Sequence, residues 1–164
     1  MIPVHLLLAQ RIQDEVKDLE KTVQRIQRNW ARARAVAVNQ DVYIDSVALN
    51  LHAFYAGLER LFELIAEQVD GGKLGGAAWH VELLRQMSVS LERVRPSVIS
   101  PESIAALDEY RKFRHLVRHV YAVNLDPGRM GALVNSLAPT WEQVRNELLA
   151  FADFLEQLAR ADEA

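Results

Sequence analysis

From Arg111 to Tyr121 the chain reads Arg-Lys-Phe-Arg-His-Leu-Val-Arg-His-Val-Tyr, with four fixed positive charges, two histidines and no acid. In a protein of net charge −3 such a concentration calls for a reason. At about 100° per residue, Phe113, Leu116, Val117 and Val120 form a narrow apolar stripe. Arg111, Arg114, His115, Arg118, His119 and Tyr121 are then predicted to fan over the exposed face. Groups of this kind suit cleavage of an RNA phosphodiester through its neighbouring 2′-hydroxyl. That reaction needs a base for the hydroxyl, an acid for the leaving 5′-oxygen and cations for the phosphate oxygens. Histidine titrates near neutrality and serves as base or acid. Arginine presents a charged fork matched to phosphate oxygens. No metal or other cofactor is required.

Arg114 and His119 lie five residues apart, so they project about 140° apart on an ideal helix. One helix has difficulty focusing both on one phosphate. Two copies packed about a two-fold axis bring such side chains to a shared cleft, and the spacing therefore predicts a homodimer with a composite site.

The pattern Arg114, four residues, His119, Val120, Tyr121 resembles the Arg-x4-His-x-Tyr signature of HepT-type toxins, within the HEPN superfamily of ribonucleases. His115 matches the superfamily's Asn, Asp or His after the arginine. Looser matches are Tyr55-Ala-Gly-Leu-Glu59, Trp79-His80 and Asp126-Pro127, which extend the resemblance over most of the chain. The resemblance implies a single HepT-like HEPN domain over residues 1–164, a dimerising bundle of four or five helices. It also implies a metal-independent endoribonuclease, the toxin of a type II or type VII-like toxin–antitoxin pair, acting on tRNA or mRNA. Its implied partner is a minimal nucleotidyltransferase (MNT-type) antitoxin, which in some systems adds AMP to the motif tyrosine, here Tyr121. Arg114 would stabilise the phosphorane and His119 would move protons. His115, Arg118, Arg111 and Glu59 are supporting or RNA-binding candidates. AMP on Tyr121 would place a bulky anion on the stripe of Arg114 and Arg118 and oppose RNA phosphates.

Two other readings compete. The same bundle could be a non-catalytic partner of a nucleotidyltransferase. Alternatively, His115 and His119, at i and i+4, could chelate zinc or nickel with His52 or His80, although Arg114 and Arg118 alongside would repel a cation. Asp70-Gly-Gly-Lys-Leu-Gly-Gly lacks the spacing of a phosphate loop and follows a helix, so it reads as a connector. No glutamate has histidine three residues on, which removes a di-iron carboxylate bundle. Glu59 reads as a surface acid or as the partner of an arginine on the fourth helix; His80 reads as a capping or packing residue. Lys21, Arg25, Arg28, Arg32 and Arg34 follow Asp14, Glu15, Asp18 and Glu20. Acids early and bases late suit the helix dipole, and that reading is preferred to an RNA track.

These residues must be positioned by helices. Leu8, Ile12, Leu19, Val23, Ile26 and Trp30 predict one long helix from about Val4 to Val36. A second, capped by Asp41, buries Ile44, Val47, Leu51, Tyr55, Leu58, Phe62 and Ile65 and ends at Gly71–Gly72. A third spans about Trp79 to Ser90. Ser100-Pro101-Glu102 starts a fourth, to about Tyr121. Asp126-Pro127 starts a fifth, to about Leu158, with a kink or break near Pro139. No stretch alternates like a strand, so the fold class is all-α. With 164 residues there is room for one domain. The lack of cysteine removes disulfides, iron–sulfur clusters and thiol nucleophiles. It fits a cytoplasmic protein. Met1 to Arg11 does not read as a signal peptide, and no segment approaches the ~20 apolar residues of a membrane span.

Overall fold

A computed structural model of the protein describes residues 3–72, 75–119 and 126–163, with the side chains of residues 118 and 119 outside that description. Five helices are assigned among the described residues: α1 (Val4–Ala35), α2 (Gln40–Gln68), α3 (Trp79–Met87), α4 (Pro101–His119) and α5 (Pro127–Asp162). The fold is an all-α helical bundle. No strand occurs among the described residues, only an isolated bridge between Leu91 and Arg95.

Local chemistry sets the helix starts. Ser100 accepts the Ser103 N–H at 3.2 Å ahead of Pro101, and Asp126 accepts the Gly128 N–H at 2.9 Å ahead of Pro127. Each supplies an orphan N–H of a first turn with its acceptor. Asp41 does not cap α2 as expected. The chain turns at Asn39, in the left-handed region at φ 62°, and Asp41 falls within the first turn. Asparagine tolerates that conformation better than most residues. α5 does not break at Pro139, and the helix continues through it to Asp162. α3 stops at Met87, short of Ser90, where the chain bends toward the Leu91–Arg95 turn.

α1, α2, α4 and α5 form a ring, α1 packing on α2 and α5, and α4 packing on the same two helices from the other side. α3 lies against α2 and α4. α2 is the central element, burying Val47, Leu51, Phe54, Tyr55, Leu58, Leu61, Phe62 and Ile65. Phe54 meets Tyr110 of α4 and Trp141 of α5 edge-on, at 5.5 and 5.8 Å between centroids. The Tyr110 hydroxyl donates to the Leu133 carbonyl at 2.8 Å, which ties α4 to α5.

At Gly57, α2 packs tightly against α1. A Cβ there would stand 2.9 Å from Leu19 Cδ2 and 3.2 Å from Glu15 Oε1. In an exposed helix Gly→Ala gains up to about 1 kcal/mol, but overpacking a core costs typically about 1–3 kcal/mol. Gly57→Ala is therefore expected to lower the melting temperature, measured by circular dichroism. An increase would mean that Leu19 moves aside at no cost.

Candidate functional site: a buried arginine between α2, α3 and α4

Three helices each contribute one polar side chain to a single buried cluster. Arg114 of α4 donates from Nη1 to Glu59 Oε1 at 2.7 Å and from Nη2 to Glu59 Oε2 at 3.1 Å. His80, in the first turn of α3, places Nδ1 2.9 Å from Glu59 Oε2 and 3.0 Å from Arg114 Nη2. Both acid and arginine are withdrawn from solvent, Glu59 to 4% and Arg114 to 6% exposure. The Tyr55 ring floors the cluster, its centroid 5.1 Å from Arg114 Cζ, and Trp79 lies against the His80 ring at 3.6 Å between centroids. Burial, reinforced by the charge of Glu59, holds the Tyr55 hydroxyl well above its ordinary pKa, against the opposing pull of Arg114.

The hydrogen bonds constrain the histidine. Nδ1 can donate to Glu59 or accept from Arg114, but a single nitrogen cannot do both. With the proton on Nδ1 it donates to the carboxylate, and Arg114 Nη2 at 3.0 Å then faces another donor and makes no hydrogen bond to it. Arg114 Nε, moreover, has no hydrogen-bond partner, the one such buried side-chain atom among the described residues. A buried unpaired donor is costly and rare in native proteins.

A second buried arginine shows what complete satisfaction looks like. Arg95 donates from Nε and Nη2 to Asp70 at 2.5 and 2.8 Å. Its remaining bonds go to the carbonyls of Val89, Pro96 and Gln86 at 2.9, 3.0 and 3.2 Å. All five N–H donors of a guanidinium are thus used. Arg95 is a structural staple; Arg114 retains unused donors.

The expected exposed basic row is corrected in three respects. Arg114 lies in the core and not on the outer face, whereas Leu116, placed in the core stripe, is 37% exposed. The buried line of α4 is Ser103, Leu107, Tyr110 and Arg114, spaced i, i+4, i+7 and i+11, joined by Phe113. The basic stretch is also partly neutralised by acids one turn earlier. Arg111 pairs with Asp108 at 2.7 Å, and Lys112 with Asp108 and Glu109 at 3.4 and 3.3 Å. Burial pushes the Asp108 carboxyl up, but the hydrogen bonds and charges of Arg111 and Lys112 hold it below the usual range. Arg111 is thus already engaged within its own helix.

Glu59 is no surface acid; it is the partner of the fourth-helix arginine. His80 neither caps α3, whose N-cap is Ala78 with no side-chain bond, nor only packs, since it joins the polar cluster. Both had a readable signal. Glu59 stands in register with Tyr55, Phe62 and Ala66, all buried, and an acid on a core-facing line requires a partner. His115 is exposed on α4. The side chains of Arg118 and His119, and Val120, Tyr121 and the rest of 120–125, lie outside the described residues, so the structure brings none of them to Arg114 or away from it. Lys73 and Leu74 of the glycine-rich connector lie outside them too.

Among the described residues no three His, Asp or Glu side chains are grouped to hold a metal ion. No helix among them is long and apolar enough to cross a membrane.

The fold is an all-α bundle enclosing a buried Arg–Glu–His cluster, and a comparison of families says where it belongs. Residues 46–155, from α2 into α5, match the family described as HepT-like protein. The chain belongs to this HepT-like family of HEPN-type toxins. Comparison with curated proteins and with solved structures gives no match.

Proposed function

We propose that this HepT-like protein is a metal-independent endoribonuclease, the toxin of a toxin–antitoxin pair. One observation carries the reading above the family itself: Arg114 is buried in a cage of Glu59, His80 and Tyr55 yet keeps an unpartnered Nε–H. A guanidinium fixed in this way is preorganised to meet the charge of a phosphorane, and because its free Nε–H is buried, the phosphate reaches it only where the cage opens. RNA supplies its own nucleophile in the 2′-hydroxyl. His119, five residues on, is the proposed proton carrier, and His80 is a second imidazole in direct contact with the arginine. His115 and Arg118 are proposed RNA contacts. Two copies about a two-fold axis complete the site. The proposed antitoxin is a nucleotidyltransferase, with AMP transfer to Tyr121 as the route of silencing.

One observation favours the non-catalytic alternative: Glu59 already neutralises Arg114 at 2.7 and 3.1 Å. An RNA phosphate must compete with that carboxylate or use the donors it leaves free.

The test is cleavage of total cellular RNA by purified protein in EDTA, beside His119→Ala. Discrete fragments from the wild type are expected, with a loss of about 10²–10⁴-fold in the variant, the usual worth of a positioned acid or base. Intact mass is read on the same preparation, because AMP already on Tyr121 would mask activity. Unmodified wild-type protein that cuts no RNA would move the assignment to the non-catalytic partner.

A further inference from the structure

The outer face of α1 carries a row of cations that the Arg114 site does not use. Lys17, Lys21, Arg25, Arg28 and Arg32 are all exposed. On a helix they fall within about 80° of one another and extend over about 22 Å, at steps near 5–6 Å. Leu19, Val23, Ile26 and Ala33 are buried on the opposite side of the same helix. No acid occurs between Glu20 and Asp41. Among the described residues none of the five is ion-paired; the neighbouring Glu20 is taken by Arg145 at 3.5 Å and by the Trp141 indole N–H. A favourable dipole accounts for bases in the last turn, where Arg32 and Arg34 stand. It does not account for Lys17, Lys21 and Arg25, two or more turns from the end, since the effect falls off within the last turn. Arg34 lies off this row.

We infer that this row is a docking track for the phosphate backbone of RNA. Regularly spaced like charges on a rigid rod complement a polyanion with regularly spaced phosphates, and such contacts supply affinity without reading sequence. An anionic membrane is the poorer fit. A helix lying in a bilayer interface needs an exposed apolar face along its length, whereas beside the row Leu19, Val23 and Ile26 are buried in the bundle and Gln24 and Gln27 are polar; the exposed Val4, Leu6 and Leu7 stand together at the N-terminal end of α1, more than two turns before Lys17. The track also lies across the ring of helices from α4. An RNA held there is therefore not the segment at Arg114, and the substrate must be long or folded enough to reach both. This last point rests on the proposed nuclease reading; the binding itself does not. α1 lies outside the segment 46–155 that matches the family.

The probe is a fluorescently labelled 30-nucleotide RNA hairpin, its anisotropy titrated in EDTA with His119→Ala protein so that cleavage cannot intrude. The comparison protein adds Lys21→Gln, Arg25→Gln, Arg28→Gln and Arg32→Gln, glutamine being a good helix former. At low salt the quadruple variant should bind at least tenfold more weakly. Its plot of log affinity against log salt should be shallower by about 3–4, from four phosphate contacts at roughly 0.7 each on single-stranded and 0.9 each on duplex segments. If the quadruple variant melts early, Lys21→Gln/Arg28→Gln should still remove about half of that slope. Affinity within twofold and an unchanged slope would overturn the track. So would binding of the parent protein to phosphatidylserine vesicles more tightly than to RNA. Track-dependent binding, with unmodified wild-type protein that cuts no RNA, would leave the track standing while the nuclease reading fell.

Discussion

Arg114→Ala is expected to destabilise the protein by about 3–5 kcal/mol, the usual cost of removing one partner of a buried ion pair. Glu59 would remain in the core as an uncompensated carboxylate at 4% exposure, with His80 Nδ1 at 2.9 Å as its remaining partner. For a domain of this size each kcal/mol lowers the melting temperature by about 2–4 °C, so a fall of roughly 6–20 °C is expected. Glu59→Ala should behave alike, because it strands the guanidinium. The double variant Glu59→Ala/Arg114→Ala should lose markedly less than the sum, since no buried charge is then left alone. Strict additivity, or an Arg114→Ala protein that melts with the wild type, would refute the structural role of the pair. Loss of the proposed nuclease activity in Arg114→Ala is therefore not by itself a catalytic result. Arg114→Lys separates the two roles, because it keeps the charge near Glu59 and removes the planar fork that meets phosphate.

How much of this was legible beforehand depended on how far apart in the chain the deciding groups lie. Helix starts at Pro101 and Pro127 were readable because Ser100 and Asp126 act over two or three residues. The apolar lines of α1 and α2 were readable because periodicity is local to one helix. The pattern of α4 places Arg114 on the outer face because its burial depends on Glu59, 55 residues earlier, and no periodicity announces that partner. The register nevertheless held a clue on each side: Ser103, Leu107, Tyr110 and Arg114 on α4, and Tyr55, Glu59, Phe62 and Ala66 on α2, are matching core lines. Each ends in or contains one charged residue, of opposite sign. Reading two such lines together predicts the pair, whereas reading either alone makes its charge look like surface. His80 reads as a capping or packing residue for the same reason, since its role comes from where α3 docks.

The docking of α3 leads to a second large effect. Arg95→Ala is expected to cost about 3–5 kcal/mol, concentrated at one end of the molecule. Arg95 and Asp70 have side-chain exposures of 0% and 4%, and Gln86 donates to the same carboxylate at 2.7 Å. The staple thereby joins the end of α2, the end of α3 and the turn before Pro96, while Trp79 and His80 hold the start of α3 against the α2–α4 cluster and Leu83, Leu84 and Met87 pack into the core. α3 has nine residues, too few to be a stable helix on its own. Without the staple it should open locally before the bundle unfolds. Amide hydrogen exchange in 79–87 should therefore accelerate far more than in α1 or α5. Arg95→Lys should not restore protection, since one ammonium cannot span Asp70 and three carbonyls. Uniform acceleration throughout the bundle would show instead that α3 opens only with the whole fold. Selective opening would mean that a residue remote from Arg114 governs whether His80 stays at Glu59. On the proposed nuclease reading, RNA cleavage by Arg95→Ala should then fall even where the bundle remains folded.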